Sequence, residues 1–166
     1  MKKIILLIIA SLTLEFLYSQ DVVNRKAFSL ELAVDNDSFF NAEIGESPYI
    51  LKDNTVQIYP GEKLFIEATL ENGKIVSLRC VNENKNIERT IEIKFEQITE
   101  ERLHKFMMLT IKNPFDKTLK YSAFILLMKY KKWIKTSVLD INPGLTNFES
   151  WPDIITSIAI NGWELE

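Results

Sequence analysis

The chain has 166 residues, the size of one ordinary domain, and a formal net charge of −3. This mild negative charge argues against a nucleic-acid partner, because nucleic-acid-binding proteins neutralise phosphates with an excess of Lys and Arg. A single Cys excludes an internal disulfide, and a single His and five Gly leave little material for a metal site or a phosphate-binding loop.

The N-terminus has the pattern of a signal peptide. Lys2 and Lys3 precede an apolar run at residues 4–14 and a polar exit that ends at Ser19. We predict cleavage between Ser19 and Gln20, so that residues 1–19 are removed and residues 20–166 form an exported domain, periplasmic or extracellular. An uncleaved anchor is the alternative, but the apolar run is shorter than the roughly 20 residues that cross a bilayer. We expect no transmembrane segment in the mature chain.

Alternation of apolar and polar residues recurs after residue 26 and is typical of strands with one buried face. It is clearest at residues 28–34, 64–70 and 91–95. Asn72-Gly73 predicts a tight hairpin, because both positions accept positive φ. On the strand at residues 74–81, Val76, Leu78 and Cys80 share one face, which favours a buried, unreactive thiol.

Further turns are expected at residues 59–62, 82–86, 113–116 and 130–133, and a final strand near residues 156–165. Capping and proline signals predict single helical turns at residues 99–103 and 150–154. The spacing indicates about nine strands in one domain. We therefore predict an all-β fold, an antiparallel β-sandwich with one or two short helical turns.

A resemblance extends this prediction. Residues 107–115, Met-Met-Leu-Thr-Ile-Lys-Asn-Pro-Phe, followed by Leu119-Lys-Tyr-Ser-Ala123, resemble paired strands of immunoglobulin-like modules in exported bacterial proteins. In those modules a strand ends at a polar-proline corner and the next strand carries Leu-x-Tyr with the Tyr packed inward. The resemblance implies an immunoglobulin-like sandwich over about residues 26–141, in a class of module that binds, spaces or adapts.

Catalytic and metal-binding patterns are weak. His104 has no second His beside it, and Cys80 lies on an apolar strand face, so we predict no catalytic residue and no cofactor. Asp35-Asn36-Asp37, with Glu43 and Glu46, has calcium-compatible spacing, but a solvated turn is favoured and no metal is predicted.

Two groups of residues are candidates for binding. Basic and aromatic residues interleave around one predicted hairpin: Lys117, Lys120, Lys129, Tyr130, Lys131, Lys132, Trp133 and Lys135. They are suited to an anionic polymer or lipid headgroups, or they protect a strand edge from aggregation, which we favour. Near the C-terminus, Phe148 and Trp151 are expected in a loop and Trp163 near the final strand. These rings stack on a ligand or, as we favour, plug the open end of the sandwich.

The functional prediction is a non-enzymatic, exported binding or adaptor module of the cell envelope, with an envelope protein or a glycan as partner. Its candidate ligand-binding or partner-binding residues are Lys129, Lys131, Lys132, Trp133, Phe148, Trp151 and Trp163. The alternative is a carbohydrate-binding module that uses Trp151, Phe148 and Trp133. A small hydrolase built on His104 and carboxylates is the least favoured hypothesis.

Overall fold

The computed structural model describes residues 23–166, so the predicted signal peptide lies outside the described residues. The strands are β1 (Asn24–Arg25), β2 (Phe28–Ala33), β3 (Phe39–Ile44), β4 (Ser47–Pro48), β5 (Ile50–Leu51), β6 (Thr55–Ile58), β7 (Lys63–Glu71), β8 (Lys74–Val81), β9 (Thr90–Glu100), β10 (Leu103–Lys112), β11 (Leu119–Leu127), β12 (Lys132–Thr136), β13 (Thr146–Trp151) and β14 (Ile155–Leu165). Within this range, no helical segment has the length and apolar character that crossing a bilayer requires.

Two antiparallel five-stranded sheets face each other. The first sheet has the strand order β13-β10-β9-β7-β8, and the second has the order β12-β11-β14-β6-β5. Two further pairs, β2 with β3 and β1 with β4, lie outside these sheets. The predicted all-β sandwich is confirmed, and the predicted final strand is confirmed as β14.

The core lies between the sheets because each long strand turns alternate apolar side chains inward. On β11 every second residue is buried, from Leu119 through Tyr121 to Leu127. On β9 the fully buried apolar side chains are Ile91, Ile93 and Phe95. Burial of each such aliphatic side chain contributes about 1.5–3 kcal/mol, so this alternation is the main stabilising feature of the fold.

Tight turns connect the long hairpins. Asn72 and Gly73 have φ of 51° and 73°, which confirms the predicted hairpin between β7 and β8. The helical turn predicted at residues 99–103 is wrong: Glu101 and Arg102 have φ of 50° and 69° and join β9 directly to β10. Pairing along the whole length of these two strands outweighs the local capping signal.

The helical turn predicted at residues 150–154 is also wrong, since β13 continues to Trp151. Among the described residues, one 3-10 turn occurs elsewhere, at Lys52–Asn54. The face predicted for β8 is partly correct: Leu78 is buried and Cys80 is half-buried, but Val76 is 44% exposed. A register shift beside Leu70 on β7 turns Val76 outward.

A buried arginine fixes the N-terminal segment. Arg25 is 1% exposed, and its guanidinium donates to both carboxylate oxygens of Glu62, at 2.6 and 3.0 Å, and to the carbonyl of Gln57, at 2.8 Å. Its Cζ lies 4.5 and 4.7 Å from the ring centroids of Tyr49 and Tyr59. The segment before β2 is therefore an integral part of the domain.

Candidate binding surface on the β11–β12 hairpin

The basic and aromatic residues predicted to bind a partner are concentrated on the hairpin of β11 and β12. Leu127 pairs with Lys132 and Ala123 with Thr136. The connecting loop is residues 128–131, closed by a hydrogen bond from Lys131 N–H to the Leu127 carbonyl at 2.9 Å. The turn predicted at residues 130–133 is thus displaced, because Lys132 and Trp133 already belong to β12.

Side chains on β12 alternate between the two faces of the second sheet. Ile134 packs against the core, and Thr136 Oγ1 accepts a hydrogen bond from Trp151 Nε1 at 3.0 Å. Trp133 and Lys135 therefore lie on the outer face, and Trp133 is 43% exposed. Tyr130, in the connecting loop, is 56% exposed. Two large aromatic side chains are thus accessible on one hairpin.

The lysines of β12 and of the loop before it form no ion pair in the part of the chain that the structure describes. Among the ion pairs formed within residues 23–166, none involves Lys129, Lys131, Lys132 or Lys135. Lys120, at the other end of β11, instead contacts the Glu166 carboxylate at 2.6 Å. The hairpin is therefore a local concentration of positive charge on a chain whose net charge is −3.

The outer edge of β12 is open. β12 is the terminal strand of the second sheet, and no other strand in the described part of the chain pairs with it. Met128 N–H donates to the Ile154 carbonyl, so even-numbered residues of β11 direct their backbone groups towards β14 and odd-numbered residues towards β12. Because Trp133 and Lys135 pair with even-numbered residues, their N–H and C=O groups point away from the sheet.

The four predicted aromatic residues do not form one site. Phe148 and Trp151 lie in β13, so their predicted loop location is wrong. Phe148 pairs with Thr110, is 63% exposed and lies on the outer face of the first sheet, whereas Trp133 lies on the outer face of the second. These two faces point in opposite directions, which prevents one compact ligand from contacting both rings.

Trp151 and Trp163 instead contribute to the core. Trp151 packs against it, and Trp163 is 7% exposed, with its Nε1 donating to the Asn54 carbonyl at 3.0 Å. Trp163 also stacks on Tyr121, with ring centroids 5.8 Å apart. A bulge with Gly162 at φ 64° opposite Tyr121 turns the indole inward. Asn-Gly is a dipeptide typical of turns, but the bulge at Gly162 depends on the register of β14 against β11, which the sequence does not show.

His104 is held by hydrogen bonds at both ring nitrogens. Gln97 pairs with the Ala33 backbone through its amide oxygen (2.8 Å) and nitrogen (2.7 Å), which fixes the orientation of the amide. Gln97 Nε2 therefore donates to His104 Nδ1 at 3.0 Å, and His104 Nε2 donates to the Pro152 carbonyl at 2.9 Å. This arrangement positions β2 and the β13–β14 connection and leaves no ring nitrogen available to a substrate.

The carboxylates near the first hairpin also have a structural role. Asp35 Oδ1 accepts hydrogen bonds from the N–H groups of Asp37 (3.1 Å) and Ser38 (2.9 Å). The Ser38 hydroxyl and these amides lower the pKa of Asp35. No group of three or more His, Cys, Asp or Glu in residues 23–166 is arranged to hold a metal ion.

Comparison with known proteins gives no relative. No protein-family model matches the chain, no curated protein matches it, and no solved structure matches it. The β-sandwich follows from the structure alone, and the immunoglobulin-like resemblance stays a prediction.

Proposed function

We propose that the chain is exported and that its mature domain is a non-enzymatic binding module of the cell envelope, which docks an anionic partner on the β11–β12 hairpin. The observation that carries this proposal is that four lysines, which form no ion pair within residues 23–166, and two exposed aromatic rings lie on one hairpin. The export component rests on the signal-peptide pattern of residues 1–19.

Protection of an open edge against aggregation explains the lysines alone. It does not explain the exposed rings of Tyr130 and Trp133, because an exposed aromatic beside a free strand edge increases the risk of association. Aromatic residues surrounded by charge are instead typical of interface centres, where ring burial supplies affinity and charge supplies orientation. Partner binding therefore accounts for both kinds of residue.

The alternatives have less support. A carbohydrate site made of Trp151, Phe148 and Trp133 would need these three rings on one surface. Trp151 packs against the core, and the other two rings lie on opposite faces of the sandwich. A hydrolase using His104 would need a free ring nitrogen, and both are engaged in structural hydrogen bonds.

The test is capture of envelope components by charge variants of the mature protein. Residues 20–166 are immobilised as the native sequence, as Lys129→Glu/Lys131→Glu/Lys132→Glu, and as a matched control, Lys26→Glu/Lys52→Glu/Lys74→Glu, which makes the same charge change at exposed lysines elsewhere. We expect the hairpin variant to retain about a tenth or less of the bound partner, because docking uses the local charge. The control should bind within about twofold of the native protein.

Equal loss in both variants would show that only net charge matters, and equal retention would exclude the hairpin as the docking surface. Capture by Trp133→Ala separates the aromatic contribution from the charge. Export is checked in the same cells by mass spectrometry of the envelope and secreted fractions, which should contain a chain that begins at Gln20. A full-length cytosolic chain would contradict the export component.

A further inference from the structure

The sheet edges of this domain are not equally available. On the edge of β8, the Asn54 side chain accepts from Leu78 N–H at 3.2 Å and donates to the Val76 carbonyl at 3.3 Å. At β13, the Glu149 carboxylate accepts a hydrogen bond from Leu139 N–H at 2.8 Å, which ties the β12–β13 connection to this edge strand. β12 has no comparable cover within residues 23–166, and the backbone groups of Trp133 and Lys135 face outward.

The pattern of side chains on β12 specifies what can pair with this edge. A strand added beside β12 would alternate its own side chains between the same two faces. On the outer face it would meet the Lys135 ammonium and the Trp133 ring, and on the inner face it would meet the partly buried Ile134. An added strand therefore complements this edge when it carries acidic residues on the outer face and aliphatic residues on the inner face.

The charge argues against a second copy of the chain as the occupant. Pairing of two β12 edges would place side by side two strands that each carry Lys132 and Lys135. Like charges on neighbouring strands are destabilising, and edge lysines are the usual device against such self-association. An acidic segment turns the same lysines into attractive contacts.

We propose that the occupant of this edge is an extended acidic peptide segment of a partner protein, which adds to the second sheet as a strand beside β12. The inference rests on the proposed function and specifies its partner class and binding mode. Main-chain hydrogen bonds to Trp133 and Lys135 supply binding, and the lysines with the Trp133 ring select the sequence.

The experiment separates the backbone contribution from the charge. Lys135→Pro removes both the ammonium and the outward N–H, whereas Lys135→Thr removes the ammonium alone. Proline is tolerated on an edge strand where its nitrogen faces solvent. The probe is a blocked peptide of alternating glutamate and valine, about seven residues long to match an ordinary strand. Binding is followed by NMR of the ¹⁵N-labelled mature protein, which also reports whether each variant is folded.

We expect the peptide to slow amide exchange at Trp133 and Lys135 in the native protein. It should bind Lys135→Pro at least about fivefold more weakly than Lys135→Thr, because one backbone hydrogen bond contributes about 1 kcal/mol. If Lys135→Pro perturbs the fold, Trp133→Pro against Trp133→Thr makes the same comparison. A peptide with lysine in place of glutamate should not bind.

Equal affinity of the proline and threonine variants, or no binding of the acidic peptide, would overturn strand addition. Binding of polygalacturonate at the same residues, insensitive to the proline change, would instead assign the edge to an anionic glycan. Concentration-dependent dimers of the native protein that vanish in Lys135→Pro would assign it to a second copy. Each of these outcomes is compatible with a successful envelope capture. The peptide experiment therefore tests strand addition, and the capture experiment tests the proposed function separately.

Discussion

Two of the buried polar residues, Arg25 and Asn113, have several hydrogen-bond partners each. Arg25 is enclosed by the Glu62 carboxylate, a backbone carbonyl and two tyrosine rings, so neither member of the ion pair is left without compensation. A buried ion pair adds little net stability over an apolar replacement, but removal of one member leaves a costly charge. The pair therefore serves mainly to specify where the N-terminal segment lies.

Cys80 gives a prediction at this scale. Burial, and to a smaller extent the nearby Glu62 carboxylate, raises the pKa of the thiol to about 11. At pH 8 we expect Cys80 to react with a thiol reagent about a hundredfold more slowly than the same residue in urea, because the thiolate is the attacking species.

The pH dependence follows from the same shift. Because the pKa of Cys80 is higher in the folded chain, its contribution to stability is fully present below pH about 8.5, the unperturbed value. It is lost as the pH rises towards about 11. Reaction rates measured from pH 7 to about 10 should rise without reaching a plateau. A native-state rate within about threefold of the unfolded rate at pH 8 would contradict the half-buried placement of the thiol.

At the scale of elements, the residues at each turn determine how much the turn contributes to the stability of its hairpin. In the described range, two hairpins with two-residue turns have positive φ at both turn positions: Asn72-Gly73 between β7 and β8, and Glu101-Arg102 between β9 and β10. The first has the residues that this conformation favours, and the second does not. In the left-handed region of positive φ, a side chain longer than Asn costs about 1 kcal/mol per residue. The β9–β10 turn is therefore held in this conformation by the strands that it connects.

Replacement of Glu101 by Asn and Arg102 by Gly should therefore stabilise the protein. We expect the free energy of unfolding to rise by about 1 kcal/mol, measured by urea denaturation. The matched control is the reverse exchange, Asn72→Glu/Gly73→Arg, which should destabilise by a similar amount. Unchanged stability in both variants would show that neither turn adopts the conformation described.

For the whole molecule, the important connections are those that join the two sheets. Asn113 follows β10 in the first sheet and is fully buried. Its Nδ2 lies within hydrogen-bond distance of three carbonyl oxygens, those of Lys117 (2.8 Å), Ile141 (2.9 Å) and Asn142 (3.2 Å). Its Oδ1 accepts from Phe115 N–H at 2.9 Å. One side chain thus holds the corner where the chain passes to β11.

Asn113→Ala should lower the free energy of unfolding by about 3 kcal/mol, because it leaves several buried backbone groups without partners. Asn82→Ala, at an exposed position, is the control and should change stability by less than about 0.5 kcal/mol. Fluorescence and circular dichroism should give one coincident transition for each, as expected of a single cooperative domain. A loss below about 0.5 kcal/mol for Asn113→Ala would contradict its role as the tie between the sheets.

The sequence by itself determined the class of fold, the inward faces of most strands and the Asn72-Gly73 turn. These features are local, because alternation follows from the two-residue period of a strand and positive φ from the residues at the turn. Only the tertiary structure decided that Glu101-Arg102 is a turn, that Gly162 forms a bulge and that Arg25 meets Glu62. It also decided that Trp133 and Phe148 face opposite ways and that the edge of β12 is open. Strand order and register depend on packing summed over residues far apart in the chain, and no local pattern contains that sum.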